Sequence, residues 1–137
     1  MRRSPSLFAC AFGALLFGCP AGDGPARAEA GAVSRAIEGL RNADNGRKSA
    51  LLTALRAVPC SVADVCAVQS LCVAAYEQHV LALELIERVR ATAGTAPLDG
   101  VKRSLAEAES ALAHAKVSTD QCVTKQGELA RKYRVAR

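Results

Sequence analysis

A heptad pattern over the last third of the chain constrains the fold more than any other feature. Between residues 98 and 133, apolar or small residues, with one glutamine among them, recur at alternating intervals of three and four, which keeps one face of an α-helix against a neighbour. The members of this pattern are Leu98, Val101, Leu105, Ala108, Leu112, Ala115, Thr119, Cys122, Gln126, Leu129 and Tyr133. The pattern predicts a helix over 101–135 that pairs with an antiparallel partner, and its small residues allow close approach.

The antiparallel partner is predicted over 62–93, between Pro59 and a turn at 94–100 that contains Pro97. Ser61 and Asp64 have the spacing of a capping box, which would open this helix. The polar stripe of this helix is narrow, so we expect other helices to cover the helix on more than one side. Two shorter helices are predicted for that role, one around residues 30–40 and one over 47–58.

These patterns contain no alternating strand signal, so the predicted fold class is all-α. We expect a small disulfide-linked helical bundle built on a long antiparallel helical hairpin, with two shorter helices packed on it. All three Phe and the single Met fall within the first 17 residues, leaving Tyr76 and Tyr133 as the only aromatic residues of the domain. A core of Leu, Val, Ile and Ala buries little area, and cross-links are a natural remedy.

The cysteines can supply those cross-links. Four of them, Cys60, Cys66, Cys72 and Cys122, lie in the predicted domain, and an even set predicts two disulfides. Cys66 and Cys72 are about 9 Å apart along one helix, too far to bond, which excludes their pairing. A hairpin centred on Pro97 pairs Cys72 with Cys122 and Cys60 with Cys66, the connectivity we prefer. A turn nearer Gly94 would instead pair Cys66 with Cys122 and Cys60 with Cys72.

The first residues predict export. Two arginines at positions 2 and 3 precede an apolar run over 7–17, which is typical of an export signal and too short to span a bilayer. Outside the reducing cytosol the later cysteines can oxidise. Residues 15–19, Leu-Leu-Phe-Gly-Cys, resemble the lipobox of bacterial lipoproteins, which implies lipid attachment at Cys19. The alternative is simple cleavage after Ala28 in a small-x-small site.

The predicted organisation is therefore an export signal over 1–19 (or 1–28 with the later cleavage), a flexible spacer over 20–32 and a single helical domain over 33–137. The segment 130–134, Ala-Arg-Lys-Tyr-Arg, resembles the tail of the small murein-bound outer-membrane lipoproteins. This chain ends in Arg137 and not in Lys, so the covalent link to peptidoglycan is not predicted. Cations at this position also complement the negative end of a helix dipole.

Composition and spacing argue against several function classes. The chain has no nucleic-acid motif, phosphate loop or catalytic serine context, so we predict neither a nucleic-acid partner nor an enzyme. The cysteines lack the close pairs of zinc and redox sites, and no metal or other cofactor is predicted. His79, near the paired side of its helix, is expected to be structural.

The function that we expect is that of an exported, non-enzymatic cell-envelope lipoprotein. It would act as a structural or interaction module for an envelope protein or the cell wall, reach the membrane through a lipid on Cys19, and form a homo-oligomer through its heptads. Export, a spacer and a cross-linked bundle support this expectation. The alternative is a small periplasmic carrier that binds a metal or another ligand at His79 and nearby groups.

Overall fold

The computed structural model describes residues 23–136, and over this range the chain forms four α-helices and no strand. They are α1 (Gly24–Asn42), α2 (Asn45–Ala57), α3 (Ala63–Thr92) and α4 (Leu98–Lys132). The predicted all-α fold is confirmed. The predicted export signal over 1–19 and the predicted lipid-attachment residue, Cys19, lie outside the described residues. None of the helices in the described range combines the length and apolarity needed to cross a membrane.

Contacts at known positions fix the relative direction of α3 and α4. Asp64, at the start of α3, accepts hydrogen bonds from the Nζ of Lys132 at 2.5 Å and from the hydroxyl of Tyr133 at 2.9 Å, both at the end of α4. Two turns further along α3, Cys72 is bonded to Cys122. The two helices therefore run antiparallel over this stretch, and their mutual packing is the most extensive in the fold.

The second cysteine pair joins Cys60 to Cys66, with their Cα atoms 5.5 Å apart, against 4.9 Å for Cys72 and Cys122. These pairs are those of the connectivity that a turn at Pro97 predicts. Cys60 lies in the loop before α3, and Cys66 follows three residues after its first residue, Ala63. The small ring thus encloses the loop and the first helical turn, so the helix itself remains regular.

The apolar core occupies only one half of the pair formed by α3 and α4. α1 packs on both α3 and α4, whereas α2 packs on α1 and α3. The core cluster and the hydrophobic residues packed against it include, among residues 23–136, none between Val80 and Cys122. The core residues are Ala30, Val33, Ile37, Leu40, Leu52, Leu55, Val65, Cys72, Ala75, Tyr76, Cys122 and Leu129.

Beyond Val80, α3 and α4 continue as a pair of helices alone. We call this part, residues 81–116, the tip. Its fully buried residues are Ala82, Ala108 and Ala115, three small side chains between the two helix backbones. The expectation that α3 is covered on more than one side therefore holds for its first half and fails for its second.

Helix α1 begins earlier than predicted. Residues 24–32, expected to belong to a flexible spacer, are helical, and Pro25 stands at the first turn, where its missing N–H is tolerated. Ala30 is fully buried in the core, and Arg27 donates to the carbonyl of Arg134 at 2.8 Å. These tertiary contacts stabilise a segment whose composition alone is typical of a linker.

The start of α3 is capped from a distance. The predicted capping box does not form, because Val62 and not Ser61 occupies the N-cap position, and within α3 the Asp64 carboxylate accepts only the N–H of the next residue, Val65, at 3.0 Å. The carboxylate of Glu29, on α1, accepts hydrogen bonds from the backbone N–H of Ser61 at 2.9 Å and of Val62 at 3.0 Å, and from the Ser61 hydroxyl. These bonds lower the pKa of Glu29. The Asp64 carboxylate also binds the end of α4.

Removal of the disulfides is expected to destabilise the domain unequally. The Cys72–Cys122 bond closes a loop of 50 residues and the Cys60–Cys66 bond one of 6. On the chain-entropy model, Cys72→Ala with Cys122→Ala lowers the free energy of unfolding by about 4 kcal/mol, against about 2 kcal/mol for Cys60→Ala with Cys66→Ala. Urea unfolding of the two double variants, each the control for the other, measures the difference. A wild-type transition unchanged by reductant would contradict it.

Candidate functional site

A pocket of about 230 Å³ lies where the corner between α1 and α2 meets the other two helices. It contains the histidine singled out by the sequence and collects side chains from all four helices. Its lining residues are Arg41, Lys48, Tyr76, His79, Thr119, Asp120 and Val123.

Lys48 is the most buried charge of this pocket. Its Nζ donates to the carbonyls of Leu40 at 3.0 Å and Arg41 at 3.2 Å, and lies 6.0 Å from the ring centroid of Tyr76. Those carbonyls belong to the last turn of α1, the negative end of its dipole, where a cation is favourable. Burial lowers the pKa of Lys48, and the nearby Asp44 carboxylate opposes that shift. The lysine thus fastens the end of α1 to the start of α2.

His79 packs edge-on to Tyr76, with ring centroids 6.2 Å apart. Its Nε2 is buried and has no hydrogen-bond partner among the described residues. Burial lowers the pKa of His79, and the charge of Lys48 lowers it further. Both effects favour the neutral form of the ring, which is part of the wall of the pocket.

The electrostatics of this pocket disfavour a divalent cation. Lys48 and Arg41 bring two positive charges close to His79, and Asp120 is the single carboxylate in the lining. Within residues 23–136 no three His, Cys, Asp or Glu side chains come together as metal ligands would. This lining therefore lends no support to the alternative in which His79 binds a metal.

The second candidate surface is the row of leucines along the tip of α4. Leu112, Leu105 and Leu98 are seven residues apart, and their exposed fractions rise from 38% through 47% to 68% towards the turn. Leu83, on the facing helix, is half-buried. A soluble helix pair normally covers such a row, and a contiguous exposed apolar stripe is typical of a contact surface.

The sequence-predicted site residues have separate locations. The four cysteines form the two disulfides at the covered end of the fold, whereas His79 lies at the corner near its middle. In the basic tail, Lys132 is bound to Asp64, and the side chains of Arg131 and Arg134 are exposed. Cys19 falls outside the described residues.

Two residues that stabilise the fold were not predicted from the sequence. Glu29 caps a helix that begins more than thirty residues later, and Lys48 binds carbonyls seven and eight residues before it. Neither contact has a local sequence signature, because both depend on how α1 packs. The heptad pattern predicted the row of leucines at the tip, but it did not indicate that this row would be exposed.

Comparison with known proteins adds no family or fold relationship: no protein-family model, curated protein or solved structure matches this chain significantly.

The lowered pKa of His79 predicts a loss of stability in mild acid. Because the folded state disfavours its protonation, the stabilising effect is full above the unfolded pKa of about 6.5 and is lost as pH falls through the folded value. His79→Leu should therefore flatten the dependence of the melting temperature on pH between about 7.5 and 5.5. His114→Leu, at an exposed site on α4, is the matched control and should keep the wild-type slope. The same slope in both variants would contradict the assignment.

Proposed function

We propose that this protein is an exported, non-enzymatic lipoprotein of the cell envelope that acts as a structural and interaction module. The observation that supports it best is the uncovered leucine row at the tip, on a bundle whose other end is cross-linked and tightly packed. One end of the molecule is thus suited to attachment and the other to contact. The contact partner in this proposal is a protein of the envelope.

The positions of the two ends support this arrangement. The start of α1 lies beside the end of α4, since Arg27 contacts the carbonyl of Arg134. A lipid on Cys19 would be separated from α1 by residues 20–23, a tether with a reach of about 10–12 Å if flexible. The membrane would then lie close to the covered end of the bundle.

The charges near that end suit an anionic surface. Arg27, Arg131 and Arg134 are exposed there, and each cation close to anionic lipid contributes about 1 kcal/mol to binding. From Lys132 back to Leu98, α4 spans about 50 Å at 1.5 Å per residue. An anchored molecule would therefore present its tip about 50 Å from its attachment point, outside the lipid headgroups.

Photo-crosslinking in intact exporting cells tests the proposal. A photoreactive amino acid at Leu105 should yield adducts in the membrane fraction, whereas one at Val117, 60% exposed elsewhere on α4, should not. Cys19→Ala should move the protein to the soluble fraction and remove its lipid mass. Equal labelling from Leu105 and Val117 would contradict the contact surface. Unchanged fractionation of Cys19→Ala, with an N-terminus at Glu29, would contradict the anchor.

A further inference from the structure

The leucine row at the tip continues an interface that the molecule has already formed. At intervals of seven residues along α4, Leu98, Leu105 and Leu112 lead to Thr119 and then to Gln126. Gln126 is buried against α1, where its side-chain amide donates to the carbonyl of Ser34 at 3.1 Å. The row is thus covered by a helix at one end and uncovered at the other.

The facing helix has a similar arrangement. Gln69 and Tyr76, seven residues apart on α3, are buried, and Gln69 donates to the carbonyls of Leu55 and Val58 on the α2 side at 2.8 Å. Leu83, seven residues further, is half-exposed. On both α3 and α4, the residues that pack under α1 or α2 end at the same level, which is that of the corner between α1 and α2.

We propose that a second copy of this chain covers the tip. The α4 tips pack antiparallel about a two-fold axis at Leu105, so that Leu105 meets Leu105 of the second copy and Leu98 meets its Leu112. This inference deepens the proposed function by naming the partner of the same surface, and it rests on the tip being a contact surface. A two-fold interface of this kind requires a self-complementary surface.

The charges beside the row are self-complementary in this register. Lys102 and Glu109 follow Leu98 and Leu105 by four residues, which places them along one flank of the row. In the antiparallel arrangement centred on Leu105, Lys102 of each copy lies beside Glu109 of the other, so the pair occurs twice. Flanking pairs of opposite charge set partner choice and orientation in paired helices.

The tip as a whole carries no net charge to repel a second copy. It has five acidic and five basic side chains. The tip residues concerned are Glu84, Glu87, Asp99, Glu107, Glu109, Arg88, Arg90, Lys102, Arg103 and Lys116.

The available length fits two tips. The row from Leu98 to Leu112 is about 21 Å long, and in the centred register Leu98 of one copy reaches the level of Leu112 of the other. It stops one heptad before Thr119, which lines the pocket at the corner between α1 and α2. The bundles therefore lie at opposite ends without collision. A contact limited to this row lies at the small end of protein interfaces, so we expect the dimer to be weak.

Sedimentation velocity on the purified, oxidised protein over about 1–500 μM tests this proposal over the concentration range in which weak dimers form. The wild type should shift reversibly from monomer to dimer. Leu105→Lys should remain monomeric at every concentration, and Val117→Lys, the matched control on another face of α4, should dimerise like the wild type. A monomeric wild type throughout, or a dimer that Leu105→Lys leaves intact, would overturn it.

Charge reversal tests the register without touching the apolar row. Lys102→Glu alone and Glu109→Lys alone should each weaken dimerisation about tenfold at low salt, because each juxtaposes like charges twice. The double reversal Lys102→Glu with Glu109→Lys should restore the wild-type dissociation constant. Circular dichroism confirms that each exposed-site variant folds. If the double reversal fails to restore binding, the antiparallel register centred on Leu105 is wrong.

Failure of this inference and failure of the proposed function have different signatures. A monomer in solution, together with a Leu105 adduct to a different envelope protein in cells, overturns the dimer and supports the interaction module. An adduct of twice the protein's own mass, together with the sedimentation shift, supports both. A monomer with no adduct at Leu105 overturns both.

Discussion

The covalent link between Cys72 and Cys122 is the constraint on which the rest of this structure depends. A domain without Phe, Trp or Met in its core has few large side chains to fix how two long helices slide along each other. One register-fixing bond replaces that steric specificity, and its sulfurs are themselves buried in the core. Two turns away, the hydrogen bonds that Lys132 and Tyr133 donate to Asp64 hold α3 and α4 in the same register. Because the register is fixed at this end, the small residues between α3 and α4 can pack closely in a single alignment of the two helices.

The two shorter helices, α1 and α2, pack on only one end of the α3–α4 pair. α1 connects the parts of that end, since Glu29 caps α3, Arg27 meets the end of α4, and Lys48 of α2 closes the α1 C-terminus. None of these contacts extends past the corner at His79. The molecule is consequently divided into an end with a core and a tip with only three buried alanines. Stability resides in the first, whereas the exposed leucines of the described residues lie in the second, a separation that suits a protein fixed at one end and in contact at the other.

Much of this architecture could be predicted from periodicity and spacing. The heptads of α4, the stop at Pro59 and the equal distances of Cys72 and Cys122 from Pro97 are local or one-dimensional facts, and they predicted the helices and the cysteine pairing. The cap at Glu29, the helicity of residues 24–32 and the burial of Lys48 could not be predicted, because each depends on where α1 packs in three dimensions. The heptads likewise predicted an apolar row along α4, but they did not indicate that the other helices cover this row only up to about Thr119.

Hydrogen exchange of individual backbone amides, measured on dilute protein, tests this division most directly. If one end holds the core, amides of α3 before Val80 and of α4 after Thr119 should exchange slowest, by global unfolding. Those between residues 81 and 116 should exchange faster through local opening, with the change falling at the level of His79. Uniform protection along the whole of α4, or slower exchange at the tip than around Cys122, would contradict the account.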